Sequence, residues 1–283
     1  MDTAIKRHGG KSYLAKAIIA AMPPRCKNPN KPADDDPGWL HYVEPYFGGG
    51  SVLFANDPEG ISEVVNDVDG DLTTFWICLK NEAGFAMMQR SLQGTPVSEL
   101  EFSMAKHPSK EQEAPWERAC EFFIRNRQSR QGLEKGFATL TRNRTRRGMN
   151  EQASAWLSAI DGLPEFHARL KRVVILHSNA VKVIKQQDGT RTLFYCDPPY
   201  MHETRHNGGG EYKHEMTREQ HVELLETLAT VNGRFILSGY DSDLYHDFAQ
   251  QHGWSCDSIE IDNKASGSKT KEKKIENIWK NYA

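Results

Sequence analysis

The chain has 283 residues, a formal net charge of −2, 38% hydrophobic residues and five cysteines. This length suits one large α/β domain with a smaller insertion. No apolar run approaches the ~18 residues that a membrane helix needs, and the first residues lack the apolar core of a secretory signal. We therefore expect no contact with a membrane. The odd, dispersed set of cysteines favours reduced thiols in a cytoplasmic compartment and argues against both a disulfide framework and a zinc site.

Two glycine-rich stretches near the N-terminus are typical of loops that bind a ligand. Gly9-Gly10-Lys11 precedes an amphipathic run from Tyr13 to Met22, so that the backbone can approach a ligand and Lys11 adds a cation. Further along, an apolar strand ends at Glu44, and the glycines of residues 48–50 open a second helical pattern. This plan is typical of dinucleotide-like sites, with Glu44 placed to bind an ammonium group. A glycine-rich turn without a ligand is the alternative.

A second acid follows the next predicted strand. The strand covers Glu63 to Asn66 and leads into Asp67, about twenty residues after Glu44. An acid at this distance can accept the two ribose hydroxyls of an adenosyl ligand. Beyond it, we expect one helix from Asp71 to Leu92 that packs on the sheet.

The segment of residues 94–164 is polar, arginine-rich and helical in pattern. We expect one helix from Pro115 to Arg127, since proline suits a first helical position. Residues 125–147 carry eight positive charges and one negative charge, which favours a phosphate-binding surface over an ordinary solvated one. Arginine and asparagine also bind base edges in the major groove. The residues predicted to contact DNA are Asn126, Arg127, Arg130, Arg142, Arg144 and Arg146.

The chemistry is predicted to lie at the end of one strand. The apolar run Leu193 to Cys196 is typical of a buried strand, and the two following prolines cannot donate to a sheet, so the strand stops at Asp197. Open α/β sheets bind ligands at such carboxyl ends. The Asp197 carboxylate and the Pro198 carbonyl can each accept one N–H of an exocyclic amino group, and Tyr200 can stack on the base. A strand ending in an ordinary Asp-Pro turn is the alternative.

The remaining pattern predicts alternating strands and helices. The expected strands are 172–177, 235–240, 258–262 and 278–282, and the expected helices are 180–185, 217–230 and 243–251. The glycine-rich loop of residues 201–214 is a candidate for a mobile lid or for contact with DNA. The basic loop of residues 264–274 is a candidate for contact with DNA phosphates.

Four motifs together resemble those of a known family. They are Gly9-Gly10-Lys11, residues 43–50, Asn66-Asp67 and Asp197-Pro198-Pro199-Tyr200. In this order, with the recognition region before the catalytic motif, they resemble the Dam-like, alpha-group DNA N6-adenine methyltransferases of phage or prophage type. The resemblance implies an α/β, Rossmann-like S-adenosylmethionine-dependent methyltransferase fold with an added antiparallel strand. The catalytic domain would comprise residues 1–93 and 165–283, and residues 94–164 would form the helical target-recognition insert.

The resemblance also implies an activity. The chain would transfer a methyl group from S-adenosylmethionine to N6 of adenine at specific sites in duplex DNA, flipping the base, using no metal and releasing S-adenosylhomocysteine. Asp197, Pro198 and Tyr200 would be catalytic. The cofactor-binding residues would be Arg7, Lys11, Glu44, Phe47, Gly48, Gly50, Asp67 and Asp197. Arg7 departs from the family pattern, since relatives often have an aromatic residue there.

Double-stranded DNA is the expected partner, and a separate restriction endonuclease is a candidate second one. We expect a monomer or weak dimer in the cytoplasm of a bacterial cell or phage-infected host. One alternative is an amino methyltransferase acting on N4 of cytosine, on RNA or on a protein glutamine; another is a non-catalytic DNA-binding relative. Asp197 before Pro-Pro-Tyr favours adenine, the arginine-rich insert favours DNA, and the intact motif argues against a non-catalytic protein.

Overall fold

The computed structural model describes residues 3–6, 11–106, 114–138, 144–201, 214–262 and 273–283. The chain forms two compact units, each assembled from segments that are separate in the sequence. The first unit comprises Met1–Ala21, Gly48–Asp57 and Asp69–His177. The second comprises Met22–Phe47, Pro58–Val68 and Ser178–Ala283.

Strands and helices alternate along much of the chain. The strands are β1 (His41–Glu44), β2 (Ser62–Asn66), β3 (Thr145–Arg146), β4 (Met149–Asn150), β5 (Val173–Leu176), β6 (Thr192–Cys196), β7 (Arg234–Gly239), β8 (Ser255–Asp262) and β9 (Lys273–Lys280). The helices are α1 (Ala15–Ala21), α2 (Ser51–Ala55), α3 (Gly70–Lys80), α4 (Glu82–Gly94), α5 (Glu99–Ala105), α6 (Pro115–Arg127), α7 (Glu151–Leu170), α8 (Ala180–Gln187), α9 (Arg218–Leu228) and α10 (Asp243–His252). No helix of the described ranges is long and apolar enough to span a bilayer.

The main sheet has seven strands, and six of them belong to the second unit in the order β2-β1-β6-β7-β9-β8. β2, β1, β6 and β7 run parallel to one another, whereas β9 is antiparallel to both β7 and β8. Every residue of β6 is buried, because helices cover both faces of a parallel sheet and its strands are apolar on both sides. The predicted mixed α/β, Rossmann-like fold with an added antiparallel strand is confirmed.

Aromatic side chains form the core of the first unit. Phe75 of α3 packs on Phe122 and Phe123 of α6 at ring-centroid distances of 5.5 and 5.8 Å. Phe123 in turn lies 5.4 Å from the ring of Trp156 in α7. The helix predicted for residues 115–127 is confirmed, with the predicted proline at its first position. Its apolar face therefore packs on neighbouring helices.

The prediction of one helix from residue 71 to 92 is wrong, because Asn81 divides it into α3 and α4. Asn81 has an extended backbone (φ −74°, ψ 132°), and its N–H donates to the carbonyl of Ile77. Its side chain accepts a hydrogen bond of 2.8 Å from the backbone N–H of Gly84. Asparagine favours such caps because its amide oxygen replaces a missing backbone partner.

Other boundaries also differ from expectation. Pro164 lies inside α7, so the predicted limit of the insert falls within one helix; the assignment of residues 94–164 to an insert stays a prediction. Near the C-terminus, β9 begins at Lys273 rather than at Ile278. Glu276 and Asn277, which the sequence analysis left outside any strand, are therefore part of the sheet.

Candidate active site

Three of the predicted site residues follow neighbouring parallel strands of the second unit. Glu44 ends β1, Asp67 comes directly after β2, and Asp197 comes directly after β6. The register pairs Glu44 with Val65 of β2 and Val43 with Phe194 of β6. Since β2, β1 and β6 are adjacent and parallel, their carboxyl ends lie at the same edge of the sheet. The fold thus places these three carboxylates along one edge.

Glu44 is the most enclosed of the three, with 2% of its surface exposed. The hydroxyl of Tyr42 donates a hydrogen bond of 2.8 Å to Glu44 Oε1. Burial, followed by the charge of Glu44, raises the pKa of Tyr42 well above its usual value, so the phenol stays protonated and remains a donor. This hydrogen bond helps to hold the buried Glu44 carboxylate in place at the end of β1.

Asn66 fixes the loops that carry the predicted cofactor residues. Its side-chain amide donates to the carbonyls of Pro45 at 2.9 Å and Ser178 at 3.0 Å, and its oxygen accepts from the N–H of Ser178 at 2.9 Å. The buried Phe47 donates its backbone N–H to the carbonyl of Asn66 at 2.8 Å. The sequence analysis noted Asn66 only as part of a motif, and the structure shows that it joins the loop after β1 to the loop after β5.

The residues that follow Asp197 in the predicted catalytic motif are largely enclosed by other side chains. Pro198 is buried, and only 6% of Tyr200 is exposed. The Tyr200 hydroxyl lies 3.3 Å from Asp197 Oδ1 and donates a hydrogen bond to Glu276 Oε1. The ring of Tyr240 meets that of Tyr200 edge-on at 4.4 Å. These contacts surround the Tyr200 side chain with protein groups.

The electrostatics of this cluster keep Tyr200 neutral. Burial raises the pKa of Tyr200 well above its usual value, and the charges of Asp197 and Glu276 add to the effect. The pKa of Tyr195 rises for the same first reason, burial, and next through the charge of Asp197. Both phenols therefore stay protonated.

Lys11, Gly48 and Gly50, which were also predicted to bind the cofactor, belong to the first unit. Lys11 is buried and precedes α1. Gly48 and Gly50 have φ angles of 51° and 66°, and the carbonyl of Gly48 accepts a hydrogen bond of 3.1 Å from Trp76 Nε1. A Cβ on Gly48 would meet open space, so its backbone conformation is what requires glycine there.

Asn126 and Arg127, predicted to contact DNA, are engaged inside the first unit. Asn126 is fully buried, at 0% exposure, and its side chain accepts from the N–H of Lys6 and donates to the carbonyl of Lys6, both at 2.7 Å. The Arg127 guanidinium donates to the carbonyls of Ala4, at 2.9 Å, and Thr3. Burial, and then the charge of Arg127, lowers the pKa of Lys6 to about 8. Both side chains thus hold the segment of residues 3–6, a role that the sequence analysis missed.

Arg130, Arg144 and Arg146 are exposed. Arg144 and Arg146 lie at or in the hairpin that β3 and β4 form. The carboxylate of Glu134 lies 3.2 Å from Arg125 and offsets its charge. The exposed Arg147 donates to Ser154, which is neutral and leaves the charge of Arg147 in place. The exposed arginines of the hairpin, together with Arg130, are therefore part of the accessible basic surface in the described ranges.

Two predicted site residues, Arg7 and Arg142, lie outside the described residues, as does most of each loop proposed to contact DNA. Within the described ranges, histidine, cysteine, aspartate and glutamate side chains form no group of three or more that could hold a metal ion. The expectation of metal-independent chemistry stays a prediction.

A model of the D12 class N6 adenine-specific DNA methyltransferases matches residues 8–264. This match covers nearly the whole chain and both of the units described above. The chain belongs to this family. The predicted activity class, an adenine-specific DNA methyltransferase, is thereby confirmed, and among curated proteins no significant match was found.

The solved structures that match the chain over most of its length have low sequence identity and low TM-scores. A putative RNA methyltransferase from Pyrococcus horikoshii has 9% identity and a TM-score of 0.36, with 95% of this chain and 96% of that one covered. Precorrin 8W decarboxylase from Methanobacterium thermoautotrophicum has 9% identity and a TM-score of 0.37, with 96% and 90% covered. Precorrin-6y C5,15-methyltransferase from Geobacter metallireducens has 11% identity and a TM-score of 0.36, with 95% and 85% covered. No conclusion about the activity of this chain rests on likenesses this low.

Proposed function

We propose that the methyl transfer of this family takes place in this chain at Asp197, with adenine N6 held by the Asp197 carboxylate and the Pro198 carbonyl. The observation that carries the proposal is the position of Asp197 at the carboxyl end of the buried strand β6, with Glu44 and Asp67 at the same edge of the sheet. Pro198 and Pro199 restrict the backbone after Asp197, so the carbonyl of Pro198 is held in a fixed direction.

The role of Asp197 follows from the chemistry of the amino group. The lone pair of adenine N6 is delocalised into the ring, which makes the nitrogen a poor nucleophile. Hydrogen bonds from both N–H groups to the Asp197 carboxylate and the Pro198 carbonyl favour a pyramidal nitrogen, whose lone pair is directed toward the methyl group on the sulfonium. The negative charge of Asp197 stabilises the positive charge that develops on this nitrogen, and the two acceptors position it for attack.

The acids at the sheet edge fit the donors of S-adenosylmethionine, which are an ammonium group and two ribose hydroxyls. In our proposal Asp67, half-buried after β2, accepts from the ribose and Glu44 accepts from the ammonium group. Lys11, Phe47, Gly48 and Gly50 stay candidates for the same ligand. When bound, S-adenosylmethionine supplies an electrophilic methyl group on a sulfonium centre.

Double-stranded DNA is the proposed substrate, bound by phosphate contacts from Arg144 and Arg146 on the exposed hairpin and from Arg130. The adenine must leave the helix to reach Asp197, at a cost of a few kcal/mol that stacking within the pocket offsets. Tyr200 is the candidate ring for that stacking. Asn126 and Arg127 are less suited to contact bases, because their side chains bind the segment of residues 3–6.

The order of the motifs supports assignment to the Dam-like, alpha group, and we retain the phage or prophage type as part of the proposal. We further propose that the protein works in the cytoplasm as a monomer or weak dimer, either alone or beside a separate restriction endonuclease.

Asp197→Asn tests the proposed catalytic role. Asparagine has nearly the same shape but no charge, so we expect kcat to fall by about 10²–10³-fold while the affinity for S-adenosylmethionine falls much less. Methyl transfer to DNA and calorimetric binding of the cofactor measure the two effects. Asp247→Asn, at an exposed position in α10, is the matched control and should retain full activity. Full activity of Asp197→Asn would remove Asp197 from the mechanism.

A further inference from the structure

Glu276 is a buried carboxylate beside the catalytic motif. It lies in β9 with 1% of its surface exposed, and its neighbour Asn277 pairs with Gly239 of β7. The Tyr200 hydroxyl donates a hydrogen bond to Glu276 Oε1. Because an ionised carboxylate buried in protein is costly unless it is hydrogen-bonded, this contact is part of what keeps Glu276 inside the fold.

Two carboxylates compete for the single proton of the Tyr200 hydroxyl. Asp197 Oδ1 lies 3.3 Å from it, and Glu276 Oε1 is the nearer acceptor. A phenol donates a single hydrogen bond, so donation to Glu276 excludes full donation to Asp197. Donation to Asp197 would partly neutralise the charge on which the proposed reaction depends.

We propose that Glu276 is a positioning residue for methyl transfer, which holds the Tyr200 hydroxyl and thereby prevents it from donating to Asp197. Glu276 also fixes the direction of the Tyr200 ring, which the Tyr240 ring contacts from its side at 4.4 Å. Glu276 acts through Tyr200 and does not itself touch the substrate. This inference rests on the proposed function of Asp197.

Glu276→Gln is the first test, because it keeps the length of the side chain and removes the charge that attracts the Tyr200 proton. The hydroxyl then shifts toward Asp197, and we expect kcat to fall by about tenfold, the usual worth of a hydrogen bond to a charged group. The affinity for S-adenosylmethionine should stay close to that of the wild type, which also shows that the variant folds. Glu260→Gln, at an exposed position in β8, makes the same change of charge and should have no effect.

Introducing Glu276→Gln into the Tyr200→Phe variant distinguishes a positioning role of Glu276 from a merely structural one. Without the hydroxyl there is no proton to direct, so adding Glu276→Gln to Tyr200→Phe should change kcat little, and the two substitutions should be non-additive. An equal loss from Glu276→Gln in both backgrounds would overturn the inference. So would a kcat of Glu276→Gln equal to that of the wild type.

A spectroscopic signal distinguishes failure of this inference from failure of the proposed function. In protein labelled with ¹³C at the tyrosine Cζ atoms, the Tyr200 signal is the one that disappears in Tyr200→Phe. Glu276→Gln should shift this signal, and Glu260→Gln should not; an unshifted signal contradicts the hydrogen bond itself. If the signal shifts but the wild-type chain transfers no methyl group to DNA, the proposed function is wrong. The hydrogen bond between Tyr200 and Glu276 then exists, but the proposed role of Glu276 in methyl transfer is wrong as well.

Discussion

A buried asparagine and a glycine hold the N-terminal segment of residues 3–6 in place. Asn126 bonds both backbone groups of Lys6, each at 2.7 Å. Gly132 lies against the same residue, since a Cβ built on it would come within 2.3 Å of the Lys6 carbonyl oxygen. Glycine is required here for two reasons: the close approach to Lys6 leaves no room for a Cβ, and Gly132 has a φ of 74°. Side chains of the predicted recognition region therefore fix the segment that leads to Lys11.

Gly132→Ala should destabilise the protein more than Gly148→Ala does. Both glycines have similar φ angles, 74° and 72°, but a Cβ on Gly148 would meet open space. We expect Gly148→Ala to cost about 1–2 kcal/mol from backbone strain alone, and Gly132→Ala to cost about 1–3 kcal/mol more from the clash with Lys6. Urea unfolding measures both free energies, and equal values would show that the segment of residues 3–6 is not packed as described.

Sequence reasoning located Asp197 but not the surroundings of Asn126. The proline pair after an apolar run restricts the backbone locally, so the position of Asp197 at a strand end is readable from neighbouring residues. The partner of Asn126, Lys6, is 120 residues away, and an asparagine beside arginines has the same composition whether it faces DNA or the interior. Only the packing of α6 decides between the two.

The hairpin formed by β3 and β4 carries exposed, positively charged side chains. Arg147 and Gly148 make its turn, with φ angles of 54° and 72°, and the Arg147 guanidinium donates to the hydroxyl and carbonyl of Ser154 at 3.0 and 2.9 Å. Arg147 thus anchors the turn to α7. Arg144 and Arg146 remain exposed, which suits contact with a phosphate backbone.

Replacing Arg144 and Arg146 together by alanine should weaken binding of DNA of any sequence. If each arginine contacts one phosphate, the slope of log K against log salt should fall by about 0.9 for each. Fluorescence anisotropy over a range of salt concentrations gives this slope. Arg90→Ala, at an exposed position in α4, is the control and should leave it unchanged. An unchanged slope in the double variant would move the DNA surface away from the hairpin.

The strand β9 shows where reading elements from the sequence failed. Its apolar residues Ile275, Ile278 and Trp279 flank a polar pair, and the polar pair obscures the strand pattern before Ile278. The structure pairs Glu276 with Ile259 and Asn277 with Ser258 across an antiparallel ladder. The buried Glu276 interrupts the apolar pattern, and its side chain accepts a hydrogen bond from Tyr200. Tyr200 is 76 residues away in the sequence, so the residues next to Glu276 give no sign of this partner.

At the scale of the whole molecule, strand order brings distant residues to one place. Glu44 and Asp197 are far apart in sequence, yet β1 and β6 are adjacent and parallel. The alternation of strands and helices predicts such a sheet, and the carboxyl ends of its strands then predict the site. The division into two units could not be predicted, because each combines segments from several parts of the chain.

Identification of the methylated nucleoside tests the central claim most directly. The wild-type chain is incubated with unmethylated duplex DNA and S-adenosylmethionine labelled in its methyl group, and the DNA is digested to nucleosides and separated. Asp197→Asn, carried through in parallel, controls for contaminating activity. We predict label in N6-methyladenine from the wild type alone. Label in N4-methylcytosine, or no label in DNA from an enzyme that binds the cofactor, would contradict this account.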